Sequence, residues 1–143
     1  LIKVMESKEN LKTLCGFKGD EKELDLSKKN LKSGCAVLVS HEIQDMGALA
    51  KLDLSRNNNS EFYKSDNAKK SPEFIRPIAS MLKTNNSIKE LNLAGNNLNA
   101  EAARIFSQDI HDNGALACDD GKIYATPCFG SKWRTFVWIC LRI

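Results

Sequence analysis

The sequence predicts an α/β fold in which short parallel strands alternate with helices, on three observations. Pairs of leucines separated by one polar residue recur along the chain. Amphipathic stretches long enough for helices lie between these pairs. A displacement of the chain by 67 residues aligns strand and helix positions together. Because one strand with its helix buries little apolar surface, such units are expected to stack side by side.

The leucine pairs define the predicted strands. Leu52 and Leu54 flank Asp53, so both leucines fall on one face of a strand and the carboxylate falls on the other. The remaining two strands repeat this pattern with the pairs Leu24 and Leu26, and Leu91 and Leu93. We therefore expect these six leucines to enter one continuous interior formed by adjacent parallel strands.

An asparagine follows two of the three predicted strands at the same distance. Asn57 and Asn96 each lie three residues after the second leucine, where the chain must turn. Side-chain amides satisfy backbone donors and acceptors that a turn exposes, so we expect both to bond the turn backbone. In the first unit Lys29 occupies the equivalent position.

Two predicted helices correspond to each other in the self-match. They cover residues 33–46 and 99–112, and Ser33 and Asn99 are the expected N-cap residues. The tetrapeptide at 47–50 recurs at 114–117. The residues predicted to face the sheet are apolar or small at helical spacing: Ala36, Val37, Val39, Ile43 and Met46 in the first helix, and Ala102, Ala103, Ile105, Phe106 and Ile110 in the second.

A polar insertion at 58–71 separates the second strand from a third helix. Phe62 and Tyr63 are its aromatic residues, and they either form a binding tip or pack back onto the fold. The third helix has a start signal at Ser71 and Pro72, but Pro77 follows within the same helical pattern. Either a short turn precedes a helix that begins near Pro77, or one helix is kinked there.

The chain resembles the leucine-rich repeat proteins, on the residues at 88–98, 49–57 and 23–31. The step from Leu24 to Leu52 is 28 residues, similar to the ribonuclease-inhibitor-like class, and the step from Leu52 to Leu91 is 39. The resemblance covers about residues 11–117. It implies a solenoid with a curved parallel sheet on its concave face and helices on its convex face.

The predicted organisation has two parts. Residues 1–117 form the repeat array, and residues 118–143 form a divergent C-terminal cap or tail. Asp119 and Gly121 stand where the next pair of leucines would fall. Two stretches beyond them, at 122–126 and 135–141, are rich in β-branched and aromatic residues and predict strands.

Composition excludes some classes of protein. The formal net charge of +3 comes from interspersed lysines and glutamates, which favours a solvated surface, and nucleic-acid binding is not expected. No apolar run approaches the roughly 20 residues that span a bilayer. The five cysteines have no paired short spacing, so reduced thiols in the cytoplasm or another reducing intracellular compartment are predicted.

No motif in the sequence indicates an enzyme, a cofactor or a metal site. Two histidines without common spacing and scattered cysteines do not make a metal site. Asp25 and Asp53 are expected to oppose each other on adjacent strands, roughly 5 Å apart, where two carboxylates could act as an acid/base pair. Surface solvation is the favoured explanation, because Asn92 holds the same position in the next strand.

The favoured function is a non-enzymatic protein–protein interaction module that binds its partner through the exposed strand face. The candidate contact residues are Glu23, Asp25, Lys28, Lys51, Asp53, Arg56, Lys89, Glu90 and Asn92. The alternative is a structural or assembly subunit of a larger complex, with contacts at the array ends and the aromatic C-terminal segment. Its candidate interface residues are Phe62, Tyr63, Trp133 and Trp138.

Overall fold

Four short parallel strands form the sheet. The computed structural model describes residues 3, 7, 13–57, 71–96, 98, 100–110 and 122–124. The strands are β1 (Glu23–Asp25), β2 (Lys51–Asp53), β3 (Glu90–Asn92) and β4 (Lys122–Tyr124), and they lie side by side in chain order. The chain is therefore an α/β protein in which each strand is added at the same edge of the sheet.

The register of the sheet follows the leucine pattern. Leu24 is paired with Leu52, and Leu52 with Leu91, in parallel ladders. The predicted side-by-side arrangement of the three leucine strands is thus confirmed. Parallel neighbours need a crossover connection, usually a helix, and helices separate β1 from β2, β2 from β3 and β3 from β4.

The sheet continues beyond the leucine strands, which the sequence pattern did not predict. Ile123 of β4 is paired with Leu91 of β3. Successive central residues are therefore 28, 39 and 32 positions apart. The predicted strand at 122–126 is confirmed as β4, although the leucine pattern ends at Asp119 and Gly121. The connection before β4 is longer than the one before β2, so a fixed repeat length does not predict that this strand joins the sheet.

In the described part of the chain, the helices beside the sheet are α1 (Ser33–Ile43), α2 (Ser71–Thr84) and α3 (Ala100–Ile110). The N-cap of α1 is Lys32, which makes no capping side-chain bond, so the prediction that Ser33 caps this helix is wrong. Pro77 lies inside α2, and the helix is continuous through it from Ser71. Of the two alternatives for this region, the structure therefore excludes a separate turn ahead of Pro77.

One apolar core joins the helices to the inner face of the sheet. Leu52 and Leu91, at the centres of β2 and β3, are both 0% exposed. From the helices, the core receives Ala36, Val39, Ile43, Phe74, Ile75, Ile78, Ala79, Met81, Leu82, Ala102, Ile105 and Phe106. Val37 was predicted to face the core but is 44% exposed, because it lies one residue off the buried stripe of α1.

The two turn asparagines hold the carboxyl ends of the strands together. The side-chain amide of buried Asn57 donates to the carbonyls of Leu26 and Leu54, each at 2.8 Å. The amide of Asn96 donates to the carbonyls of Leu54 and Leu93 at 2.8 and 2.9 Å. Each side chain thus bridges its own strand to the preceding one, which confirms the predicted role of these asparagines.

A third buried asparagine joins two helices. Asn85, just after α2, donates its side-chain amide to the carbonyl of Ile43 at the end of α1 at 2.9 Å. Its side-chain oxygen accepts the amide of Ser87 at 3.0 Å, and the Ser87 hydroxyl donates to the carbonyl of Met46 at 2.8 Å. The last carbonyls of a helix lack intrahelical partners, so this pair closes the end of α1.

Candidate functional site

The strand face is the exposed side of the sheet, opposite the helices. It consists of Glu23, Asp25, Lys51, Asp53, Glu90 and Asn92. Alternation along each strand sends the central leucine inward and these flanking residues outward. Glu23 and Asp25 are exposed, and the four residues on β2 and β3 are half-buried. The structure therefore brings six of the nine predicted contact residues together in two rows.

The first row alternates in charge from strand to strand. Its members Glu23, Lys51 and Glu90 are in register, and Lys122 of β4 continues the register. The Lys51 ammonium lies 3.7 Å from a Glu90 carboxylate oxygen, with the side chains 44% and 34% exposed. An exposed pair at this distance contributes little stability, roughly 0.2–1 kcal/mol. The row consequently presents alternating charges to solvent without a large structural role.

The second row has a structural role that the sequence did not reveal. Asp25, Asp53 and Asn92 each accept a hydrogen bond from the backbone amide two residues later, at 2.9, 2.8 and 3.1 Å respectively. These side chains therefore shape the turns that end the three strands. In addition, the Asn92 amide donates to the Asp53 carboxylate at 2.9 Å.

The carboxylate of Asp25 stays ionised at neutral pH. The Ser27 backbone amide, which donates to it, lowers the pKa of Asp25, and the nearby Lys29 and Lys28 lower it further. A general acid needs a pKa raised toward the working pH, so this carboxyl group lacks the environment that proton donation requires. Asp25 and Asp53 are paired in register as predicted, but they serve as acceptors for their own turns.

Beyond the strands, Lys28, Arg56 and Gly95 occupy equivalent turn positions. All three have left-handed backbone, with φ of 55°, 54° and 72°. Glycine adopts this conformation freely, whereas other residues pay roughly 1 kcal/mol or more. A Cβ atom on Gly95 would lie 3.2 Å from Cγ of Arg56. The turn of β3 thus leaves space for the arginine stem, which extends toward it.

Lys28, Arg56 and Lys89 complete the predicted contact residues. Lys28 and Arg56 are exposed in the turns after β1 and β2, and Lys89 is exposed directly before β3. The predicted residues Phe62, Tyr63, Trp133 and Trp138 lie outside the described residues. Among the residues that the structure describes, no group of three or more His, Cys, Asp or Glu side chains could hold a metal ion.

Glu42 forms an anchoring cluster that sequence reasoning missed. Its carboxylate, on α1, accepts hydrogen bonds from the Thr13 hydroxyl and from the backbone amides of Leu14 and Cys15. The Thr13 hydroxyl in turn accepts the Gly16 amide at 2.8 Å. The segment before β1 is therefore attached to α1. No spacing signal marks this contact, because its two parts are far apart in the chain.

Two groups in this cluster, the Glu42 carboxylate and the Cys15 thiol, have shifted pKa values. Burial acts to raise the pKa of Glu42, but the hydrogen bonds from Thr13, Leu14 and Cys15 outweigh it and lower the pKa. Burial, followed by the Glu42 carboxylate, raises the pKa of the Cys15 thiol to about 11. Because thiolate is the reactive form, Cys15 remains an unreactive thiol at neutral pH. Cys15 and Cys35 are both free cysteines.

These features define a small α/β protein with a parallel sheet, one solvated strand face and helices on the other side. Among the described helices, none has the length and apolar content needed to cross a membrane. No family model and no curated protein sequence matches the chain.

Structure comparison finds a likeness to a solved domain. The chain is similar to the tropomodulin C-terminal domain of Caenorhabditis elegans, with a TM-score of 0.40 and 14% sequence identity over 87% of this chain and 84% of that chain.

The predicted membership of the ribonuclease-inhibitor-like class of leucine-rich repeat proteins is wrong. The described strands are only three residues long, and the steps between them are uneven. The 28-residue step on which that assignment depended occurs once, between β1 and β2. The later steps do not repeat it, so the spacing does not define the class.

Proposed function

We propose that the protein is a non-enzymatic interaction module that binds a protein partner through the strand face. The observation that carries this proposal is the ordered display of six polar side chains in two rows, one residue of each row per strand. Adjacent strands hold these side chains about 4.8 Å apart, so a partner can sum contacts across several strands.

The second row supports the proposal through preorganisation. Asp53 is held by the Ser55 amide and by the Asn92 side chain, at 2.8 and 2.9 Å. Side chains fixed before binding lose less conformational entropy on association. The first row supplies charges of both signs, and such a mixed pattern fits a polar protein surface better than a uniformly charged ligand.

We further propose that the strand–helix units form a solenoid and that the protein works in a reducing intracellular compartment. The order of β1 to β4, each beside the one before it, is the order that stacked units produce. Cys15 and Cys35, the cysteines that the structure describes, are free thiols and are consistent with a reducing compartment.

A pair of charge-swapped variants tests the interaction face. The double change Lys51→Glu with Glu90→Lys keeps an ion pair on the strand face but inverts its polarity. The matched control is Glu101→Arg with Arg104→Glu, which inverts an ion pair of 2.8 Å on α3. Proteins cross-linked to the wild type in an extract of the native source are compared with those cross-linked to each variant by mass spectrometry.

The strand-face swap should abolish at least one specific cross-link that the α3 swap retains. Equal capture by both variants would refute the proposal, provided that both unfold at the wild-type temperature. Loss of the same cross-links in both variants would also refute it, because it would show a general dependence on charge. Circular dichroism during heating supplies the stability comparison.

One observation favours the alternative of an assembly subunit that contacts its neighbours at the array ends. Leu24 and Leu26 are half-buried, although the corresponding leucines Leu52, Leu54, Leu91 and Leu93 are buried. Nearby in sequence, Leu14 is 37% and Val37 is 44% exposed. The core is thus less completely covered at its β1 end, and a neighbouring subunit could cover it.

The alternative has its own variant. Leu14→Ser with Val37→Ser removes exposed apolar surface at the β1 end and leaves the strand face intact. Loss of a native complex in this variant, measured by size-exclusion chromatography of an extract, would favour the assembly role. Retention of the complex, together with its loss on the strand-face swap, would favour the interaction module.

A further inference from the structure

We propose that Lys28, Lys29 and Arg56 form a cationic ridge that binds an acidic helix of a protein partner. This inference rests on the proposed function and adds the chemistry of the partner to it. The three residues are exposed and follow β1 and β2, at the carboxyl ends of adjacent strands. The ridge therefore borders the strand face along one edge.

The turns that carry the ridge are joined through their backbones. The Lys28 amide donates to the carbonyl of Ser55 at 3.0 Å, and the Lys29 amide donates to the side-chain oxygen of Asn57 at 2.9 Å. Lys28 and Arg56 are consequently held one strand spacing apart, about 4.8 Å. Their backbone amides are already bonded, so the side chains are the groups available to an anionic partner.

Backbone conformation gives an independent reason to assign a function to Lys28 and Arg56. Both have left-handed φ, of 55° and 54°, at a position where Gly95 stands in the next turn. Glycine adopts this backbone conformation without strain, yet two of the three turns have a long cationic residue there. Strained residues of this kind concentrate at functional sites. Gly95 also leaves room for the stem of Arg56, which would otherwise meet a Cβ atom at 3.2 Å.

The neighbouring acids decide which kind of anion fits. Asp25 and Asp53 precede the ridge by three residues and carry negative charge toward the same edge. A continuous polyanion such as nucleic acid would be repelled by this row. A helix with acidic residues at i and i+4 confines them to one stripe, with their Cβ atoms about 5–6 Å apart. That spacing is close to the strand spacing of the ridge, and the rest of the helix can present donors to Asp25 and Asp53.

The test uses a synthetic helical peptide with a stripe of glutamates at i, i+4 spacing, labelled for fluorescence anisotropy. The test variant is Lys28→Gly with Arg56→Gly, which removes two cations and introduces the residue that the third turn already has. A second variant, Lys28→Asn with Arg56→Asn, keeps side chains that tolerate left-handed backbone, as Asn30 does with φ of 55°. The control is Arg76→Gln with Arg104→Gln, a matched loss of two exposed cations on α2 and α3.

We expect both ridge variants to weaken peptide binding by about tenfold and the helix control to leave it nearly unchanged. The difference should shrink at high salt because exposed charges are screened. Equal weakening by all three variants, or no measurable binding to the wild type, would overturn the proposal. So would single-stranded DNA that competes as well as the peptide at equal charge. If the strand-face swap still abolishes native cross-links, the proposed function survives while the acidic-helix inference fails.

Discussion

Replacing Asn57 with alanine should lower the free energy of unfolding by about 3 kcal/mol. The side chain is 0% exposed and makes two donor and two acceptor hydrogen bonds. The carbonyl of Leu54 also accepts from Asn96 at 2.8 Å, so it retains a partner. The amide of Lys29 belongs to an exposed residue and can be hydrated.

The expected loss of stability then comes from two backbone groups that lose a hydrogen-bond partner and from the truncation of a buried side chain. The carbonyl of Leu26 and the amide of Leu31 belong to half-buried residues and lose the Asn57 side chain as a partner. Each such loss costs about 1 kcal/mol, and truncation of the buried side chain adds about 1 kcal/mol more. The free energy of unfolding of a small domain is roughly 5–15 kcal/mol. The variant should therefore still fold, and it should unfold at a measurably lower urea concentration.

Urea unfolding followed by far-UV circular dichroism gives the measurement. The matched control is Asn86→Ala at an exposed asparagine after α2, which should change stability by less than about 0.5 kcal/mol. A loss below about 1 kcal/mol for Asn57→Ala would refute the reasoning, because it would mean that the asparagine bridge is not formed or not needed. The slope of unfolding against urea should remain unchanged if the native surface is preserved.

Three further changes have expected outcomes. Because the pKa of Glu42 is lower in the folded protein than in the unfolded chain, its contribution is complete above the unfolded pKa and is lost as the pH falls through the folded pKa. Glu42→Gln should therefore cost about 1 kcal/mol at neutral pH and nothing in strong acid; an equal cost at both pH values in urea titrations would contradict this. The Ser40 hydroxyl is buried in α1 and has no hydrogen-bond partner among the described residues. Ser40→Ala should therefore raise the unfolding free energy by about 1 kcal/mol, and a decrease in the thermal midpoint would show that the hydroxyl is satisfied. Pro77→Ala restores a helix-interior amide in α2 and should add about 1–3 kcal/mol, measured by chemical unfolding; a destabilised variant would mean that the ring makes essential packing contacts.

Much of the fold could be predicted because apolar residues recur in the same pattern in each strand. Leu24, Leu52 and Leu91 gave the strands and their parallel pairing, and Asn57 and Asn96 gave the bridges at the turns. These features depend on local alternation and on one amide per turn. They remain visible even where the connection between two strands is longer.

The parts that failed depend on contacts between distant residues. The sequence does not show that Asp25 and Asp53 bond the backbone of their turns. An aspartate that faces solvent from a strand would occupy the same position in the sequence. The anchoring of Thr13 by Glu42 joins groups 29 residues apart, and no periodicity predicts it. The place of β4 depends on connection length, which varies freely in surface loops.

The strands keep their register although the connections between them differ in length, so the fold should tolerate an inserted segment. Leu52 and Leu91 remain paired although their connection has 11 more residues than the one between Leu24 and Leu52. Extra loop length adds only a slowly growing closure entropy, about 0.6 kcal/mol for each doubling. A reporter peptide introduced between residues 58 and 70 should therefore leave the thermal midpoint within a few degrees of wild type. Strand pairing in the sheet is thus separate from the length of the connecting segments, which can be redesigned.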